Sequence, residues 1–171
     1  GRLLPARPVD AGGPEDAPVN PAQSPIGKIA QRRITDAATA SDVRDRLALL
    51  GETHAPGDTD LAWTRLTHWR EQLAAVLDQP PYEPVTAVEV IGAGSSPSTG
   101  LLAAWLRLKL DVPVTWRYAA SGEWEHGIRS VRLVRASGAI LLERTNDIDA
   151  TLTQPVQPSH DIVLPSRTLR E

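Results

Sequence analysis

The chain has 171 residues, a formal net charge of −3, and neither cysteine nor methionine. That length suits one domain of ordinary size with a real hydrophobic core, and the mild acidity argues against a nucleic-acid footprint. The absence of Cys excludes disulfides, thiolate nucleophiles and Cys-type metal sites, and no apolar run approaches the roughly 20 residues of a membrane span.

Residues 1–25 carry six Pro and three Gly but few large apolar side chains, so residues 1–23 read as a linker or surface loop. A domain is expected over 24–171, helical in 24–78 and mixed β/α in 79–171. At its start Ser24 is placed to cap and Pro25 to take the first helical position, with Ile26, Ile29 and Ala30 as a short apolar stripe. Residues 33–36 read as a short strand that adds to a sheet begun before this chain. A helix follows from Ser41, with Val43, Leu47 and Leu50 on one face and Gly51 closing it.

Pro56-Gly57 is a turn signal, after which Asp58 or Thr59 can cap a long helix reaching Asp78. Ala62, Leu66, Trp69, Leu73, Val76 and Leu77 recur in steps of three and four, which gives that helix one buried face. Trp63 and Arg70 lie seven apart on a neighbouring stripe, and Arg65, four before Trp69, can lie alongside its indole.

Gln79–Pro84 is too proline-rich for a helix and leads into Val85–Ile91, a β-branched run apolar on both faces, hence a central strand. Ser96 and Pro97 open a helix with Leu101, Leu102, Trp105, Leu106 and Leu108 as a broad apolar face, stopped by Asp111-Val-Pro113. Val114, Trp116 and Tyr118 then alternate as a strand, completing a βαβ unit. Beyond Gly122 the period becomes two: residues 128–136 and 139–144 form a hairpin around Ser137-Gly138, with Ile148, Ala150 and Leu152 as a third strand. Residues 162–164 suit a short edge strand among Pro155, Pro158 and Pro165. The expected fold class is α/β (α+β mixed): a βαβ unit followed by an antiparallel meander, in one mixed sheet packed with helices.

The run PGDTDLAWTRLTHWR, with QRRITDA before it and DQPPYEP after it, resembles the glucose-6-phosphate dehydrogenase assembly protein family (OpcA) of actinobacteria and cyanobacteria. The likeness extends from about Ser24 to about Arg170. It implies a non-catalytic assembly or activating factor of the oxidative pentose phosphate pathway, cytoplasmic, with glucose-6-phosphate dehydrogenase as its partner. Family members are longer, with a further α/β region first. A chain opening on Gly1 is therefore expected to be the C-terminal half or two-thirds of a parent protein.

The residues themselves suggest other chemistry at several places. Val90-Ile-Gly-Ala-Gly-Ser-Ser-Pro97 occupies the place of a dinucleotide loop, but Pro97 stands where the third glycine belongs and removes a backbone donor. A plain βα turn is the better reading. Asp58-Thr-Asp60 supplies too few carboxylates for a cation, and acid in a first helical turn is explained by capping and the helix dipole. His54, His68, His126 and His160 lack ligand spacing, and no Ser stands in a nucleophile context. Arg129, Arg132, Arg135 and Arg144 on the hairpin read as a solvated strand edge, with an anion or partner patch as the other reading.

Two Trp, two Arg and one His within residues 63–70 remain, and Trp and Arg dominate interface hot spots. Aromatic residues at helical spacing are more often core, and on that reading both indoles are buried with Arg65 and Arg70 bonded to Asp58, Asp60 or loop carbonyls; on the docking reading Trp63, Arg65, Leu66, His68 and Arg70 are the candidate partner-binding residues, with Trp69 in the core. No catalytic, cofactor or metal residue is assigned. The alternative function is a sugar-phosphate or nucleotide-binding domain, with Arg65, Arg70 and the Gly92 loop as anion contacts.

Overall fold

Strand pairing, not a helix, governs the residues after Pro56. In the computed structural model of the chain, which describes residues 9–10, 18–120 and 122–166, two units are distinguished, residues 1–64 and 65–171. The first contains a parallel three-stranded sheet of β1 (Val9–Asp10), β2 (Arg33–Thr35) and β3 (Asp58–Asp60), in that order. The register sets Arg33 opposite Asp58 and Thr35 opposite Asp60. Arg33 Nε donates to Asp58 Oδ1, and its two amino groups donate to the carbonyls of Gly27, Ala30 and Pro56. Gly57 must be glycine: its φ is +96°, and a Cβ there would lie 2.5 Å from the Gln31 carbonyl oxygen.

Three expectations for this unit are corrected. Asp58–Asp60 is strand rather than first helical turn, because pairing with β2 satisfies its backbone and gives both carboxylates cross-strand partners. Residues 24–30 form successive turns, not a helix, since Gly27 O and Ala30 O are taken by Arg33; Ile26 and Ile29 are exposed. The strand at Arg33 joins partners within this chain, β1 and β3. Helix α1 (Val43–Glu52) is present, capped by Asp42, whose carboxylate accepts from Asp45 N at 2.9 Å; it runs past Gly51 to Thr53. The stretch read as a linker lies outside the described residues except for β1 and residues 18–23, where Pro21–Gln23 forms a 3-10 turn.

Helix α2 (Leu61–Arg65) starts directly after β3 and is followed by α3 (Thr67–Leu77). The single helix expected to Asp78 is thus two. Leu66, with φ −81° and ψ −8°, ends one and begins the other, without the Gly or Pro that would have marked the break in the sequence.

The second unit is built on a six-stranded sheet. Its elements are β4 (Ala87–Gly92), α4 (Pro97–Leu110), β5 (Val114–Tyr118), β6 (Ile128–Arg135), β7 (Gly138–Arg144), β8 (Asp149–Thr153) and β9 (His160–Val163), with strand order β5-β4-β6-β7-β8-β9. β4 and β5 are parallel neighbours joined by α4, the expected βαβ unit, and β6 to β9 form the expected antiparallel meander. Asp111 ends α4 in the left-handed conformation, φ 53°, shortly before the Pro113 that bars its continuation. The mixed α/β fold read from periodicity is the fold of this unit.

One face of the sheet is the core. Val88 and Val90 of β4, Val131 and Leu133 of β6, Ile140 and Leu142 of β7 pack with Leu66, Trp69, Leu73 and Val76 from the α3 segment and with Leu102 and Leu106 of α4. Each fully buried Leu, Ile or Val removes enough apolar surface to contribute about 1.5 to 3 kcal/mol, so this face dominates the unit's stability.

Candidate functional site

The segment of densest chemistry, residues 63–70, is carried by α2, Leu66 and the first turn of α3. Trp63 lies in the first unit and is 37% exposed. The remaining candidates belong to the second. Leu66 is fully buried and its carbonyl accepts from Arg70 N at 2.9 Å, opening the α3 ladder. Arg65, His68 and Arg70 are half-buried. His68 Nδ1 lies 3.2 Å from Glu71 Oε2, one turn on, and Arg70 Nη2 lies 3.4 Å from Thr67 Oγ1. The structure therefore sets Arg65, His68 and Arg70 at or near the surface of the second unit and puts Leu66 in its core.

Trp69 is 2% exposed, in keeping with its place on the apolar face. The guanidinium carbon of Arg144, from β7, stands over its ring, 5.5 Å from the centroid. Arg144 also donates from Nη2 to Leu164 O at 2.7 Å, just past β9. Burial holds its pKa below the ordinary arginine value, and the nearby Asp147 carboxylate opposes that shift.

The arginines of the hairpin do not form a solvated edge. β6 and β7 are interior strands, and Arg135 and Arg144 lie in phase with Val131, Leu133, Ile140 and Leu142 on the core face. Each closes one rim of that face: Arg135 Nη1 donates to Pro81 O at 3.2 Å, and Arg144 reaches Leu164. Arg129 forms ion pairs with Glu123 at 3.5 Å and Glu143 at 3.4 Å, and Arg132 is exposed. The period-two alternation carried this signal, since 131, 133 and 135 share a parity, as do 140, 142 and 144.

The glycine loop is a packed turn. A Cβ on Gly92 would lie 2.2 Å from Thr99 Oγ1 and 2.8 Å from Gly127 O, so the first glycine serves close approach of strand, helix and the segment before β6. Asp60 Oδ2 accepts from Thr35 Oγ1 at 2.7 Å and Ala37 N at 2.9 Å, while Oδ1 accepts from Ala62 N at 2.9 Å. Both carboxylates of the Asp58–Asp60 pair are therefore committed to the protein itself. Among the described residues no group of three or more His, Asp or Glu could hold a metal ion, and no helix is long and apolar enough to cross a membrane.

Residues 56–171 match the family described as the C-terminal domain of the glucose-6-phosphate dehydrogenase subunit. That span takes in the end of the first unit and all of the second. No curated protein matches the chain significantly.

Proposed function

The chain belongs to the family of C-terminal domains of the glucose-6-phosphate dehydrogenase subunit, and from that membership we propose that it is a non-catalytic assembly or activating factor of glucose-6-phosphate dehydrogenase in the cytoplasm. The observation that carries the reading is the match itself, which covers the whole six-stranded sheet and the helices on it. The geometry is in keeping with it. A side chain at Gly92 would collide with Thr99 and Gly127, and the Asp58 and Asp60 carboxylates are bonded internally.

Docking is assigned to the surface of α3 and the residues before it. Arg65, His68 and Arg70 are its polar contacts, and Trp63 is a further candidate on the first unit. Leu66 supports the surface from beneath, since it is fully buried. Arginine and tryptophan carry most of the energy in protein interfaces when they are held by packing, and Arg70 is held by Thr67 and by half-burial. The test is a titration of the dehydrogenase with this chain, following activity and sedimentation together. Co-sedimentation with a change in specific activity is the expected result. A chain that neither co-sediments nor alters activity refutes the assignment. Catalytic turnover of glucose 6-phosphate by the chain alone would refute the non-catalytic reading.

A further inference from the structure

Tyr82 is the most exposed of the chain's seven aromatic residues, at 76%. It stands between α3 and β4, in a segment where Pro80, Pro81 and Pro84 are exposed as well. The ring adds nothing to the core, and a surface connection of this length needs no aromatic side chain to carry the chain from helix to strand.

The backbone that bears the ring is nonetheless held on both sides. Before it, the Pro81 carbonyl accepts from Arg135 Nη1 at 3.2 Å and from Glu83 N at 2.8 Å. After it, the Glu83 carboxylate accepts from Ser137 N at 3.0 Å, Thr86 N donates to Val134 O at 2.8 Å, and Val85 packs against the core. Arg135 ends β6 and Ser137 lies in the turn into β7, so one hairpin grips the segment twice. The prolines remove much of the freedom that remains. Pro81 has a fixed φ, and Glu83, standing before Pro84, is restricted to extended backbone. Arg135 is buried, and a buried guanidinium is an expensive group with which to hold one carbonyl of a surface segment. The arrangement makes sense where the position of that segment matters.

What the clamp presents is a rigid aromatic ring in water. Tyrosine offers a large amphipathic contact area with few side-chain torsions to fix, and a backbone already ordered lowers the entropy lost on binding. A ring this exposed encloses nothing, so it suits a pocket on another protein rather than a small ligand. The ring, the prolines and both clamping residues all fall within residues 56–171, the span matched to the dehydrogenase-subunit family, and the segment leaves α3 directly at Asp78.

We infer that Tyr82 is an anchor whose ring inserts into an apolar pocket on glucose-6-phosphate dehydrogenase, with Pro80, Pro81 and Pro84 as its rim. This rests on the dehydrogenase reading above and extends the docking surface past the C-terminal end of α3.

The test is a binding titration of the 171-residue chain against the dehydrogenase, with Tyr82→Ala and Tyr82→Phe beside the parent. Tyr82→Ala should keep the circular dichroism spectrum and melting temperature and raise Kd at least about thirtyfold. Tyr82→Phe, which retains the ring, should bind nearly as the parent does. Tyr82→Ala binding like the parent, or Tyr82→Phe as weak as Tyr82→Ala, overturns the inference and leaves the dehydrogenase reading standing. A parent chain that does not bind overturns both. Should Tyr82→Ala fail to fold, nitration of the unaltered chain decides. Tetranitromethane should modify Tyr82 in the free chain and spare it in the complex, as read by peptide mass; equal modification in both overturns the inference. Protection that appears on concentrating the chain without the dehydrogenase would assign the ring to a second copy and overturn it too.

Discussion

Trp69 shows how one side chain joins two parts of the second unit. Its indole is buried among the α3 and sheet residues, and it forms the floor for Arg144, which in turn holds the Leu164 carbonyl. Trp69→Ala should therefore lower stability by about 3 to 5 kcal/mol, the range for removing a buried large aromatic. Urea unfolding reads this directly, and an unchanged midpoint would contradict the packing described. Glu83 makes a smaller, pH-dependent contribution. Hydrogen bonds from the Ser137 side chain and then its backbone N–H, at 3.0 Å, lower the Glu83 pKa, with Arg135 adding to the effect. A depressed carboxylate stabilises the fold above its unfolded pKa of about 4.3, and that contribution is lost as pH falls through the lower folded value. Glu83→Gln should thus be less stable than the parent at neutral pH, and the difference should close in strong acid. A gap that persists in acid would mean that Glu83 acts by packing rather than by charge.

At the scale of elements, local patterning decides what is legible in the sequence. The strands β4, β6, β7 and β8 of the second unit are readable because they bury alternate residues over most of five to eight positions, long enough for period two to emerge. α4 is readable from Ser96-Pro97 and Asp111-Val-Pro113. In the first unit β2 and α1 are legible, but the pairing that organises the rest is not, for the opposite reason. Its strands are two or three residues long, and their cause is a partner about 25 positions away, Arg33 with Asp58 and Thr35 with Asp60. In isolation Asp58-Thr-Asp60 has the composition of a helix cap, and Asp60 does accept from Ala62 N. The arginines of the hairpin mislead because a guanidinium is ordinarily solvent-facing, although the parity of Arg135 and Arg144 matches the apolar residues. Asp60→Ala removes the acceptor for three donors at once and should cost about 1 to 2 kcal/mol, the scale of a lost cap. Asp60→Asn, which keeps an acceptor oxygen, should recover part of that loss in thermal unfolding. Equal losses for both variants would show that the carboxylate charge, and not its geometry, is what Thr35, Ala37 and Ala62 require.

For the whole molecule the question is where the dehydrogenase docks, and Arg70 is the residue that separates docking from folding. It sits one turn into α3, half-buried, with Trp69 beside it in the core and His68 toward the surface. Trp69 cannot be altered without loss of stability, so it reports on the fold. Arg70 lies off the apolar face and reaches Thr67 on its own helix. If the α3 surface is the contact, Arg70→Ala should keep the circular dichroism spectrum and melting temperature of the parent while weakening the complex by at least about 2 kcal/mol, roughly thirtyfold in Kd. The measurement is a binding titration of the folded variant and the parent against the dehydrogenase, with activity read in the same samples. Arg70→Ala binding and activating like the parent would remove α3 from the interface, and the exposed Trp63 of the first unit would then be the candidate to test.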